Sequence, residues 1–240
     1  MSGLNASLGY FLAIVGVSVV GRVLFARWTL LTEFIAAFAL AACRLEVDTI
    51  AEVGQWAGAL GPDVAVTMLF ISLAVHGVVM QGVSGNPSVT LMELLQKDVG
   101  AVSVVLSVAA QLFGAYAAVN SAVELLSLDT ALIRSHKSTL FACALKPCRL
   151  NVSFTCCSDV NVDVKYFNIL TNVSVTPGNN YTSGYVNPSL AYAMTFTCPG
   201  HTFLAYSLVY WLGPLIGESI RHVSGFPKGK PLKTRAAKET

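Results

Sequence analysis

Residues Val64 to Met92 run for 29 positions without a single Asp, Glu, Lys or Arg, and Val99 to Val123 do the same for 25. Soluble domains carry roughly 25% charged residues, so runs of this length call for a solvent that accepts apolar surface on every side. A spanning helix needs about 20 apolar residues, and the second run is long enough to cross with some tilt. Composition agrees: 54% of the 240 residues are hydrophobic and 12% charged. One core cannot hide that much apolar surface, whereas spans of about 20 residues would accommodate it in about six helices. A disordered tail, a small disulfide scaffold and a basic nucleic-acid-binding domain are excluded, and a net charge of +2 implies no polyanionic partner and no nucleic acid. The expected class is an all-α, polytopic membrane protein with the lipid bilayer as its partner.

Along the chain, Leu8 to Gly21 is uncharged and is followed by Arg22 and Arg27, with no basic residues before it. It therefore reads as a retained anchor helix and not a cleaved signal peptide. Thr29 to Cys43 is a second apolar helix interrupted by Glu33, a carboxylate that is costly unless it faces the protein interior. Arg44 to Asp63 reads as an acidic polar connection. Val64 to about Met80 is a span, but Gln81 to Met92 holds Gly82, Gly85 and Pro87, which a plain helix does not tolerate. Thr202 to about Ile220 is the last helix. Residues 221–240, with Arg221, Lys228, Lys230, Lys233, Arg235 and Lys238, read as a basic cytosolic tail.

The stretch from Glu124 to Thr182 has no apolar run approaching 18 residues. It holds Cys143, Cys148, Cys156 and Cys157 and the sequons at Asn151, Asn172 and Asn180; a fourth sequon is at Asn5. Clustered sequons beside cysteines favour a lumenal loop with sugars or disulfides; reduced cysteines in a cytosolic loop are the alternative.

The two breaks in the apolar pattern echo each other. Ser84-Gly85-Asn86-Pro87-Ser88-Val89-Thr90-Leu91 is matched by Ser183-Gly184-Tyr185-Val186-Asn187-Pro188-Ser189-Leu190. Proline is tolerated at the first helical position, where its missing N–H has no partner to lose, and asparagine just before it is a good N-cap. Paired, interrupted hydrophobic segments point to a midplane site in an inverted-repeat membrane protein. Two such half-helices meeting head to head bring two positive dipole ends together. That repels cations, protons included, while the asparagine amides donate to a neutral solute.

On these motifs the chain resembles the aquaporin family, and within it the unorthodox aquaporin-11 and aquaporin-12 group, most strongly on the aquaporin-12 side. Further residues carry the likeness: Ala110-Gln111-Leu112-Phe113-Gly114-Ala115 resembles the third helix of the family, Glu33 its buried first-helix glutamate, and Cys198 the cysteine that marks the unorthodox group. Gly3 to Leu8, Trp56 to Gly58, Gly61 to Asp63 and Ser207 to Gly217 add to it. The resemblance implies an inverted repeat with two re-entrant Asn-Pro-Ser half-helices in a membrane domain over residues 1–220. Asn86, Pro87, Ser88, Asn187, Pro188 and Ser189 would be its pore motifs, and Glu33 and Gln111 its buried helix polar groups. It further implies a channel for water and small neutral solutes such as glycerol, a homotetramer, no cofactor, and an intracellular membrane of the endoplasmic reticulum or secretory vesicles.

The chain departs from the family in three places. Ser88 and Ser189 replace the usual alanine, a small change for which little steric effect is expected. Leu190 occupies the filter position where orthodox members carry Arg, so the constriction loses a fixed charge and donor. Residues 131–182 show neither the fourth nor the fifth helix. Dropping two adjacent helices keeps the parity of crossings, so that segment would be a lumenal loop, but half of the inverted repeat then lacks walls. A shortened form of such a protein and a divergent segment with illegible helices both fit. A non-conducting aquaporin-derived glycoprotein that assembles with other subunits is accordingly the alternative function. His76, His136, His201 and His222 have no metal-ligand spacing, and no nucleophilic or paired-carboxylate set is present, so neither a metal nor an enzyme activity is expected.

Overall fold

The structure, a computed structural model, describes residues 2–57, 62–96, 98–127, 185, 187–195 and 203–216. Among them there are helices and turns and no strand. In chain order these are α1 (Ser2–Leu24), α2 (Thr29–Ala57), α3 (Pro62–Val79), α4 (Pro87–Leu95), α5 (Ala101–Ser127), α6 (Pro188–Thr195) and α7 (Phe203–Tyr206), the last running into a π-helical turn at Ser207–Leu212. The cysteines at 143, 148, 156, 157 and 198, the sequons at 151, 172 and 180, the basic tail and the expected loss of two helices lie outside the described residues. Asn5 falls in the first turns of α1.

Packing is arranged inside out relative to a soluble domain. The outward residues are large and apolar: Leu12 and Val23 on α1, Ile71 and Val78 on α3, Val102, Val105 and Phe113 on α5, and Phe203 and Leu204 on α7. At the crossing of α2 and α5 the buried ones are small: Ala41 and Ala42 on α2 pack with Ala115 and Ala118 on α5, all four with no exposed surface. Without water to drive helices together, close van der Waals approach through small residues takes over. Gly114 marks the tightest point, since a Cβ there would run into the Phe34 carbonyl oxygen. Gly21 plays a similar part between α1 and α2, where a Cβ would meet Ile35 Cδ1 at 2.7 Å. The stretches Ser7–Leu24 and Ala101–Ser121 are each long and apolar enough to cross a membrane, and Val66–Val79 and Ser207–Ile216 are shorter apolar helices.

One expectation needs correcting. Arg44 to Asp63 is not a connecting loop over most of its length, because α2 continues unbroken to Ala57. Charge ends an apolar run without ending a helix. Arg44 to Val53 contains neither Gly nor Pro, and Arg44 pairs with Asp48 one turn on, Nε to Oδ1 at 3.1 Å, the spacing that supports a helix.

Candidate functional site

Both Asn-Pro-Ser motifs start helices, and by the same local chemistry. Asn86 is extended (φ −134°, ψ 115°) and caps α4, its Oδ1 accepting from Ser88 N at 3.0 Å, with Pro87 at the first helical position. Asn187 Oδ1 accepts from Ser189 N at 2.9 Å at the start of α6. The two ends touch: Asn187 Nδ2 donates to the Gly85 carbonyl at 2.9 Å. That uses one of its two N–H donors. Asn86 Nδ2 has no hydrogen-bond partner among the described residues. Asn86, Pro87, Ser88, Asn187, Pro188 and Ser189 are all buried, so the two caps meet in a low-dielectric setting where oriented dipoles count for more than in water.

The loop before α4 is held by α2 and α5. Glu33 Oε2 accepts from Gly85 N at 2.9 Å and from Gln111 Nε2 at 2.7 Å, while Oε1 accepts from Ser84 N at 3.2 Å. Gln111, with no exposed surface, also lies 2.9 Å from Thr90 Oγ1 and 3.1 Å from Ser84 Oγ through Nε2. A buried carboxylate is tolerable when backbone and side-chain N–H groups supply its partners. Gly85 has φ +57°, and a Cβ there would lie 3.1 Å from Ala36 Cβ, so both backbone conformation and space require glycine. Gln111 Oε1 and Ser88 Oγ are buried without a partner among the described residues.

The second motif has different supports. Tyr206 donates its hydroxyl to the Pro188 carbonyl at 2.8 Å. Tyr206 and Tyr210 stand with ring centroids 5.8 Å apart, and Tyr185 lies 6.4 Å from Tyr210. With Ala191 and Val209 they form an apolar and aromatic cluster against α6. The π-helical turn carries Val209 and Tyr210, both buried; such turns re-aim side chains and recur at functional sites. Tyr185 also meets α2: the Arg44 guanidinium sits 5.1 Å from its ring centroid, and its hydroxyl donates to Asp48 Oδ2 at 3.3 Å.

Leu190, expected from the sequence at the filter position, is half-buried and packs with the Ile14, Ala39, Ala41, Ala42, Ala115, Ala118 and Ala193 cluster. Its side chain contributes apolar packing at the crossing of α2, α5 and α6. Sequence reading missed Tyr185, Tyr206 and Tyr210 as supports of the second motif, and Arg44 and Asp48 as anything more than loop charges. The available signal was spacing: Arg44 and Asp48, like Tyr206 and Tyr210, are four residues apart.

These features describe a helical membrane protein centred on two Asn-Pro helix starts that are held end to end by buried polar groups. No protein-family model matches the chain. It is 34% identical over 247 residues to aquaporin-12 of Mus musculus, a match covering 90% of this chain and 83% of that protein. Putative aquaporin-12A of Homo sapiens is 33% identical over 239 residues, covering 90% and 78%. Aquaporin-11 of Homo sapiens is 26% identical over 207 residues, covering 77% and 73%. The chain belongs to the aquaporin family, in its aquaporin-11 and aquaporin-12 group, and is a multi-pass membrane protein. A span of 90% of 240 residues takes in both Asn-Pro motifs and the segment between them.

Proposed function

We propose that this chain is a channel for facilitated passage of water, and of small neutral solutes such as glycerol, across an intracellular membrane, working as a homotetramer. The observation that carries the reading is the meeting of the two capped helices through Asn187 Nδ2 and the Gly85 carbonyl. In this reading α4 and α6 are re-entrant half-helices that dip from opposite faces and bring their positive ends to the membrane midplane. One N–H of Asn187 and both of Asn86 then remain to donate to a passing oxygen. A cation, hydronium included, meets two positive dipole ends in succession and is turned back, while a neutral molecule exchanges one hydrogen bond for another. Leu190 in place of Arg leaves the passage without a fixed charge at that point, which favours weaker size and polarity discrimination than an orthodox water channel has. Family membership supports the intracellular site and the tetramer by likeness alone.

Osmotic swelling of proteoliposomes holding the purified full chain tests the proposal. Water permeability several-fold above empty vesicles is expected, falling towards the empty-vesicle value in Asn86→Asp and Asn187→Asp, where a carboxylate replaces the donor amide. Permeability no higher than in empty vesicles, and indifferent to both substitutions, sinks the channel reading. It would leave a non-conducting membrane glycoprotein that acts by assembling with other subunits.

A further inference from the structure

Glu33 and Arg44 are eleven residues apart on α2. Eleven residues make about three turns, so the two side chains leave the same face of one helix, about 16 Å apart along its axis. Each reaches the loop ahead of a different Asn-Pro-Ser motif. Glu33 accepts from Ser84 N and Gly85 N, immediately before Asn86. Arg44 lies over the ring of Tyr185, two residues before Asn187, and is paired with Asp48, which accepts from the Tyr185 hydroxyl. Arg44 is buried, its side chain 9% exposed against 25% for Asp48. A guanidinium in that position is costly unless paired and stacked; here both conditions are met, and Tyr210 also packs on Tyr185, with ring centroids 6.4 Å apart.

We propose that Arg44, Asp48 and Tyr185 form a clasp that positions the second Asn-Pro-Ser loop on α2, the counterpart of the Glu33 grip on the first. One rigid helix then sets the spacing between the two caps. The loop has no arginine of its own at position 190 to brace it, and the clasp supplies that brace from α2. Arg44 and Asp48 are positioning residues: paired with each other, they act through Tyr185 and not by contact with solute. Resting on the channel reading, the clasp also sets how far apart Asn86 and Asn187 sit, and so the size limit for solutes.

Hydrogen–deuterium exchange on the full chain in lipid nanodiscs tests the clasp without any need for flux. Arg44→Ala and Asp48→Asn are expected to raise exchange of residues 185–195 by roughly tenfold, the scale of losing one charge-assisted hydrogen bond, with residues 101–121 unchanged. Tyr185→Phe, which keeps the ring and loses the hydroxyl, is expected to raise it about two- to three-fold and serves where Arg44→Ala fails to fold. Unchanged exchange at 185–195, or an equal rise at 101–121, overturns the clasp. In the swelling assay the glycerol-to-water permeability ratio is expected to rise at least about threefold in Asp48→Asn and Tyr185→Phe. An unchanged ratio in a conducting protein overturns the size-limit role. A wild type that passes neither solute defeats the channel reading alone, and exchange still decides the clasp.

Discussion

Two serines in equivalent motif positions have unequal partners. Ser189 Oγ donates to Asn187 Oδ1 at 2.7 Å, so its hydroxyl reinforces the cap. Ser88 Oγ is buried with no partner among the described residues. A net hydrogen bond is worth about 1 kcal/mol, and a buried unpaired hydroxyl costs about 1–3 kcal/mol. Ser189→Ala should therefore lower stability by about 1 kcal/mol, while Ser88→Ala should leave it unchanged or raise it, as read by thermal unfolding in detergent micelles. Equal losses at both sites would contradict the asymmetry. Glu33 carries more, because Ser84 N, Gly85 N and Gln111 Nε2 all donate to it. Its replacement by Ala strands buried donors and should cost about 3 kcal/mol or more. Exchange at Gly85 in that variant should rise well above exchange at Asn187.

Helix α2 organises the other elements. It packs on α1, α3, α5 and α6, and it does so through alanines on its buried face. The crossing with α5 depends on Gly114, where the nearest α2 atom is a backbone oxygen and not a side chain that can swing aside. Overpacking a tight interior typically costs about 1–3 kcal/mol, and a backbone neighbour puts Gly114→Ala at the upper end, about 3 kcal/mol. Gly114→Leu should give no monodisperse protein on size exclusion in detergent. Gly16 on α1 has no neighbour within 4 Å of where a Cβ would stand, so Gly16→Ala is the matched control and should leave the elution profile unaltered.

For the molecule as a whole, the outward belt of Leu, Val, Ile and Phe sets the solvent. Phe113, 68% exposed near the middle of α5, marks that belt, and an arginine at the centre of a span costs about 2.5–3.5 kcal/mol on insertion scales. Phe113→Arg should cut membrane insertion in a glycosylation-mapping assay, whereas a similar charge at the exposed end of α4, Leu95→Arg, should be tolerated. The sequons offer a second test at this scale. If residues 124–182 lie on the lumenal side, then with Asn5 replaced in both proteins glycosidase treatment of microsomal protein shifts the mobility of the one that keeps Asn151, Asn172 and Asn180 and not of the one that lacks them. Absence of a shift in the protein that keeps them argues against lumenal glycans there.

How much was legible in the chain follows from the range of the forces involved. The apolar runs, the N-capping power of Asn86 and Asn187 and the proline at each helix start are local properties. The solvent, the helical class and the paired motifs could therefore be read from residue order. Arg44 to Val53 departs from that pattern: α2 runs on through it to Ala57, because backbone hydrogen bonds need no apolar side chains and a helix can outlast its apolar run. What the motifs rest on emerged from the packed chain alone. Glu33 meets Ser84 and Gly85 across about fifty residues of chain, Gln111 meets Glu33 across 78, and Tyr185 meets Asp48 across 137. Leu190 becomes part of an alanine core in the same way. Such contacts exist only once small residues let the helices close to backbone distance, and no local pattern encodes which distant partner each buried polar group will find.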